Sequence, residues 1–579
     1  MPLPPLTPKQ GLVLPAFIIF VLYFTYNRFF RKKRPYPFPP GPPGRFLIGN
    51  AGQLSVDHPE RDYMRWGKEY DSDVIYTQVM GQPMVCLNSF EAATELLDRR
   101  GANYCDRPHF KLFEVMGWGL TLTFLRWGPQ FKLHRRLFQN TFAQSNVKAF
   151  RSIQQHEARK AVQALVRDPT DWEELTLLMT TSIIFRIAFG QEVADKDSPY
   201  CEMAAAANDA TTNGGIAGST LVDIFPQARF LPQWLCPSAP LRHAHASRPA
   251  IQRIHAVPWE ANMRDIEDGT AGPSFMRTHV EKYRDAIEKG EETDATLADI
   301  QGATGAVFIA GGNSTWGTVL SCMLFLTKYP KIQARIAAEI DTVLSSPPTT
   351  SSSSHAAEQQ EGREAAGERQ EEDEEAAKDR IRLPTFADRP RLRCVDNFVM
   401  EAMRCLPLNP LVIPHRSLRD DVYRGMFIPA GTTVFANAAA MAVDPATYRN
   451  PHVFDPDRYN DDEDGTESSS QSTTEEEEEE EEEKEQERGG RGEPYPYGNF
   501  GFGRRRCPGN WLALASVHIF LSTLLAVFRL EAARDEATGA EKVPVPEVSV
   551  GLGGHPRRFE CRAVVRNERM ARLLLEGRG

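Results

Sequence analysis

The sequence predicts a mainly α-helical body with a few short strands, set behind an N-terminal membrane helix. Long stretches with apolar residues at helical spacing dominate, around 86–100, 148–166, 172–189, 300–327, 391–405 and 511–528. Strand-like runs are short and few, as at 73–79, 83–88 and 432–437. The run 304–326 is apolar nearly all round, which marks a helix buried in the middle of the body.

Taken in chain order, residues 1–10 form a short tail and 11–30 a transmembrane signal anchor. The stretch GLVLPAFIIFVLYFTYN carries no charge and spans about 25 Å as a helix. With Phe29 and Phe30 it suits the thinner membrane of the endoplasmic reticulum. Arg31, Lys32, Lys33 and Arg34 follow at once, so the positive-inside rule leaves the tail in the lumen and the body in the cytosol. A cleaved signal peptide is the alternative, although no small-residue cleavage site follows. Residues 31–44 are a basic and proline-rich hinge, stiffened by PYPFPPGPPG.

Residues 45–579 read as one catalytic domain with two polar insertions, at 345–380 and 460–492, whose composition cannot bury a core. Residues 358–380 hold 10 acidic against 4 basic residues, and 461–488 hold 16 against 2. The whole chain has a net charge of −11, so the rest is mildly basic. Nine cysteines are scattered singly with no C-x-x-C pair, which excludes a zinc ribbon and a secreted disulfide framework. No G-x-G-x-x-G lies between a strand and a helix, so no nicotinamide or flavin domain is expected, and nothing points to nucleic acid.

The most specific motif is FGFGRRRCPG, residues 500–509. Cys507 stands just before the apolar run that begins at Trp511, where the N–H groups of a helix N-terminus stabilise a thiolate. Gly503 and Gly509 lack a Cβ and let the backbone turn sharply and come close to a flat ligand. Phe500 shields the sulfur, and Arg505 offers a planar fork of donors to a carboxylate.

This loop resembles the haem-binding signature of the cytochrome P-450 family, the haem-thiolate monooxygenases. The resemblance implies haem b, an iron protoporphyrin, with Cys507 as axial thiolate and metal ligand, in a helical prism with small β-sheets. It extends to Glu401-Ala-Met-Arg404 and to FDPDRY at 454–459. Alone, the E-x-x-R pair reads as a solvated surface pair; in the family its members join an arginine, here Arg458, in a buried network. Microsomal members share the anchor and the proline-rich hinge. Within the family the chain is similar to fungal enzymes of the O-methylsterigmatocystin oxidoreductase type, through Val257-Pro258-Trp259-Glu260, residues 269–275, the run 224–237 and Arg389-Pro390-Arg391-Leu392.

AGGNST, Ala310 to Thr315, falls where the family's central helix opens into an oxygen-binding groove. Asn313 stands at the family's acid position and Ser314 at its threonine, with Thr315 next, so these three are expected to organise oxygen and protons. Asparagine cannot relay a proton by ionising. A plain core helix with a packing glycine pair is the other reading. The family pattern W-x-x-x-R places Phe131 where a tryptophan belongs, with Arg135, Lys132 and His415 as further expected partners of the haem propionates. By resemblance the substrate pocket takes Phe113, Met116, Phe124, Phe308, Ala310, Val412 and the segment 548–552. The run 224–237 reads either as a second membrane-contacting loop or as ordinary packing.

The implied activity is insertion of one atom of O2 into a lipophilic small molecule, with electrons from a separate NADPH-cytochrome P-450 reductase and cytochrome b5 as a further partner. Lys132, Arg136, Arg504 and Arg506 are docking candidates or simply solvated charges. Two other functions stay open: a reductase-independent haem-thiolate isomerase or dehydratase, and a haem-binding protein without turnover.

Overall fold

A computed structural model describes residues 35–215, 220–230, 238–346, 382–460, 493–549 and 551–577. The expected membrane anchor, the basic half of the hinge, nearly all of both acidic insertions and half of the run 224–237 lie outside these residues.

The body is built around the central helix Leu297–Lys328, 32 residues long and enclosed over most of its length. Thr296 caps it: its hydroxyl accepts from the Asp299 N–H while the Asp299 carboxylate accepts from the Thr296 N–H, so two free amides at the helix start are satisfied together. Asp299 also accepts from Gln130 and pairs with His134 at 3.1 Å, which fixes helix Pro129–Phe142 against this end. Helices Trp172–Phe189, Arg393–Cys405 and Asn510–Val527 pack around the centre.

The helix runs unbroken through Gly311 and Gly312, without the opened groove that the family resemblance implies. A Cβ at Gly311 would lie 2.5 Å from the Ile184 side chain of helix Trp172–Phe189, so close packing of two helices explains this glycine.

The strand expectations are met within one or two residues. Val74–Val79, Gln82–Leu87, Thr433–Ala436 and His415–Arg416 form a four-stranded sheet in that order, with His415 opposite Val434. Residues 86–100 are not one helix: the strand runs to Leu87, then come a turn of α-helix at Phe90–Ala93 and a π-helical stretch at Thr94–Arg99. Apolar residues on a central strand look the same in sequence as those on a buried helix face. Helix Ala239–Glu267 is 29 residues long with Pro249 and Pro258 inside it; those prolines disguise its periodicity.

Among the described residues only Asn510–Val527 is apolar and long enough to cross a membrane, and it is 89% buried within the body.

His255, on the long helix, meets Trp118 edge to face with ring centroids 5.4 Å apart, and neither ring nitrogen has a partner. Burial lowers its pKa from 6.5 to about 4. As pH falls through that window the unfolded chain takes up a proton that the folded one refuses, so stability is lost with acid. His255→Phe should therefore flatten the decline of the thermal midpoint between pH 6.5 and pH 4, read by scanning calorimetry of the intact protein.

Candidate active site

The cysteine loop is shaped by two short 3-10 turns, Tyr497–Phe500 and Gly503–Arg505, and closed by the Cys507 N–H donating to the Phe500 carbonyl at 2.8 Å. Gly503 serves a different contact from the one its place in the motif suggests. With φ of 52°, its N–H donates to the Asp98 carboxylate, and a Cβ there would lie 2.2 Å from the Leu97 carbonyl. It seats the loop on the π-helical stretch, whereas Gly509 and the unpredicted Gly501 line the cavity.

That cavity, about 340 Å³, lies at the heart of the molecule and is walled by the central helix, the cysteine loop, residues 118–124 and the segment around 403–415. The Cys507 side chain is exposed, yet it sits deep in the body, because the surface it shows belongs to the cavity. Burial pushes its thiol pKa up, and the N–H groups of Gly509 and Asn510 with the charges of Arg135 and Arg506 pull it back. These are the stabilisers expected of an anionic sulfur at a helix start.

Arg505 donates Nε to the Cys105 carbonyl at 2.7 Å and Nη1 to the Leu125 carbonyl at 2.8 Å, while Nη2 has no partner. Its guanidinium lies 3.6 Å from the ring centroid of Phe131, which takes the tryptophan position. Arg107, which sequence reasoning missed, is held in the same way by the carbonyls of Ile413 at 2.6 Å and Pro414 at 2.8 Å, with Nε unpartnered. A single arginine in a loop has no spacing signature, so nothing in the sequence marked it. Burial lowers both guanidinium pKa values, that of Arg505 to about 10 and that of Arg107 well below its usual range. Both side chains line the cavity and, among the described residues, hydrogen-bond to carbonyl oxygens alone, the electrostatic complement of a ligand bearing carboxylates. A porphyrin with two propionates fits this donor set, with the Cys507 sulfur as its metal ligand.

The other expected propionate partners differ in placement. Arg135 lines the cavity and donates Nη1 to the Arg506 carbonyl at 2.5 Å. His415 lines it too, but its Nδ1 donates to the Tyr104 carbonyl at 2.8 Å and burial holds the ring neutral, so Nε2 is an acceptor. It meets a carboxylate only after gaining a proton. Lys132 is exposed and does not line the cavity; its amine lies 5.3 Å from the ring centroid of Trp127.

Of the three central-helix residues, Ser314 is exposed to the cavity together with Ala310, one turn before it. Thr315 is buried, its hydroxyl bonded back to the Gly311 carbonyl at 2.7 Å. Asn313 turns its amide to the Gly553 carbonyl at 3.1 Å. Phe500, Phe124, Val412 and Leu552 line the cavity. Phe113, Met116 and Phe308 do not. Phe113 stacks behind Phe124, Met116 is fully enclosed, and Phe308 packs edge to face on Phe185 and Phe189. Their apolar character belongs to the core.

Away from the cavity, Glu401 accepts from Arg404 Nε at 2.8 Å and Nη2 at 2.7 Å, from Arg458 Nε at 3.2 Å, from the Tyr459 hydroxyl at 3.0 Å and from the Asp455 N–H at 2.8 Å. Glu401 and Arg404 are 0% exposed and Arg458 3%. Arg458 continues to Glu493, where the chain enters the cysteine loop.

The chain matches the family described as Cytochrome P450 over residues 39–356 and 363–550, and it belongs to that family. It is 29% identical over 547 residues to a cytochrome P450 monooxygenase of Armillaria gallica, with 94% of each chain covered. It is 28% identical over 552 residues to a tryptamine 4-monooxygenase of Psilocybe cyanescens, covering 94% of this chain and 96% of the relative. A cytochrome P450 monooxygenase of Coprinopsis cinerea is 29% identical over 568 residues, with 96% and 97% covered. The chain is thus an oxygen-incorporating oxidoreductase that uses haem with a cysteine thiolate ligand.

Glu401→Ala takes from the buried Arg404 its carboxylate partner and leaves Arg458 with Glu493 alone, a loss of about 3 to 5 kcal/mol. The variant should accumulate as protein that does not retain haem; a soluble, haem-loaded Glu401→Ala protein with wild-type melting would contradict the structural part assigned to this network.

Proposed function

We propose that the protein is a monooxygenase of the endoplasmic reticulum membrane, anchored by residues 11–30 with its body in the cytosol, that oxidises a lipophilic small molecule. The observation that carries this reading is the cavity itself. It places one accessible cysteine at a helix N-terminus together with two buried guanidinium groups that have donors to spare. Haem b bound there would activate dioxygen, placing one oxygen atom in the substrate and reducing the other to water with electrons from NADPH. Arg505 and Arg107, with Arg135, bind the propionates; Cys507 holds the iron; the apolar wall of Phe124, Val412 and Leu552 orients the substrate and excludes water. Ser314 lines the cavity with its hydroxyl donating back to the Ala310 carbonyl at 2.7 Å, so it serves the oxygen chemistry by turning that hydroxyl toward the ligand.

Electrons arrive from a separate reductase, with cytochrome b5 as a second donor. Lys132 and Arg504 support a docking patch, since both lie against the ring of Trp127, at 5.3 and 5.4 Å from its centroid. An acidic flavoprotein would meet two exposed cations close to one indole there.

The reduced carbonyl spectrum of the microsomal protein should show the band of a thiolate-ligated haem, and Cys507→Ala should lose it. Turnover should require both NADPH and reductase. Turnover without them would assign a haem-thiolate isomerase or dehydratase, and a ligand-induced spin change with no NADPH consumption would assign a binding protein. Ser314→Ala should lower product formed per NADPH several-fold with haem content kept, whereas Thr315→Ala should chiefly lower the melting temperature.

A further inference from the structure

The family resemblance gives Asn313 proton work, but its side chain is occupied elsewhere. Its Nδ2 donates to the Gly553 carbonyl at 3.1 Å. A carbonyl only accepts, so this contact fixes which end of the amide faces the loop. The Gly553 N–H in turn donates to Oδ1 of Asn409 at 2.9 Å. One residue of the C-terminal segment is thus gripped at both its N–H and its carbonyl by carboxamides, one on the central helix and one in the stretch after helix Arg393–Cys405.

The surrounding packing leaves this segment little room. Gly551 has φ of 117°, and a Cβ on it would lie 1.8 Å from the Thr212 carbonyl at the end of helix Pro199–Thr212. A Cβ on Gly554 would lie 2.9 Å from the Leu408 carbonyl. A Cβ on Gly317, one turn beyond Asn313, would lie 3.2 Å from the Gly554 carbonyl, and Trp316 packs on His555 with ring centroids 5.2 Å apart. Between these contacts Leu552 lines the cavity, beside Asn409 and Val412.

We infer that Asn313 is a positioning residue: with Asn409 it clamps Gly553 and so sets the Leu552 wall against which a bulky ligand rests. The consequence for substitution is unusual. Asn313→Asp, which installs the family's acid, faces a carboxylate oxygen toward the Gly553 carbonyl oxygen, acceptor against acceptor, and breaks the clamp. An amide at 313 is therefore required by the wall, independently of any proton path.

The inference rests on haem occupying the cavity only for its second readout. In the first, hydrogen exchange of residues 551–555 is compared in the full-length proteins of wild type, Asn313→Asp, Asn313→Ala and Asn409→Leu, all in the same state of haem loading. Exchange should rise about fivefold in each, the worth of one lost hydrogen bond. Asn409→Leu leaves the central helix untouched, so it reads the clamp even where the position 313 variants fold poorly. In the second, spectral titration of the haem with imidazole and with 4-phenylimidazole separates the wall from the iron. Imidazole affinity should stay within about twofold, while 4-phenylimidazole affinity should shift about fivefold or more. Unchanged exchange in Asn409→Leu and Asn313→Asp, or parallel shifts for the two azoles, would overturn the inference. A wild-type protein lacking the thiolate carbonyl band would instead defeat the monooxygenase reading, and the exchange comparison would still decide the clamp.

Discussion

Glu401 is the anion on which the lower half of the molecule depends. One fully enclosed carboxylate accepts from Arg404, Arg458, Tyr459 and the Asp455 N–H. Arg404 then gives Nη1 to the carbonyls of Ala442 and Pro451 and shares Nη2 with that of Val453, and Arg458 passes on to Glu493. The helix Arg393–Cys405, the turn at 456–459 and the entrance to the cysteine loop are thereby fixed to a single charge. In a dry interior such a charge is tolerable only because its hydrogen bonds are complete. The position of the sulfur inherits its definition from this network.

Above it, the cavity obeys the opposite rule. Arg107 and Arg505 are buried with carbonyl dipoles but no direct carboxylate partner, and each keeps an unsatisfied nitrogen. A folded protein that turns two such groups into one cavity is arranged for an anionic guest. Charge completeness below and charge deficiency in the cavity are two faces of one design: the first makes the scaffold rigid, the second makes it receptive.

Much of this was legible in the sequence where the signal is local. Most long helices follow from periodicity, and the cysteine loop and the glutamate and arginines at 401, 404 and 458 follow from local motifs read through the family resemblance. What was not legible depends on packing across the chain. Gly503 and Gly311 are conspicuous by position, yet their reasons are the Leu97 carbonyl and the Ile184 side chain, about 400 and 130 residues away in sequence. Phe113, Met116 and Phe308 are as apolar as true wall residues, and only burial tells a core side chain from one facing the cavity. Arg107 carried no motif. Asn313 was recognised as a departure from a family pattern, but its partner, Gly553, lies 240 residues on.

The Glu401 network reaches one more place. Besides the ion pair between Arg458 and Glu493, the Glu493 N–H donates to the Arg458 carbonyl at 2.8 Å, so these two residues, 35 positions apart, are stitched to each other. At the other acidic stretch, Arg382 likewise reaches back to the carbonyls of Val343 and Ser346. With two such ends held together, the entropy of closing the chain between them grows only slowly with its length. Changes of length between residues 346 and 382, or between 458 and 493, therefore ask little of the joined ends, which makes these two points natural seams for acquiring new appendages.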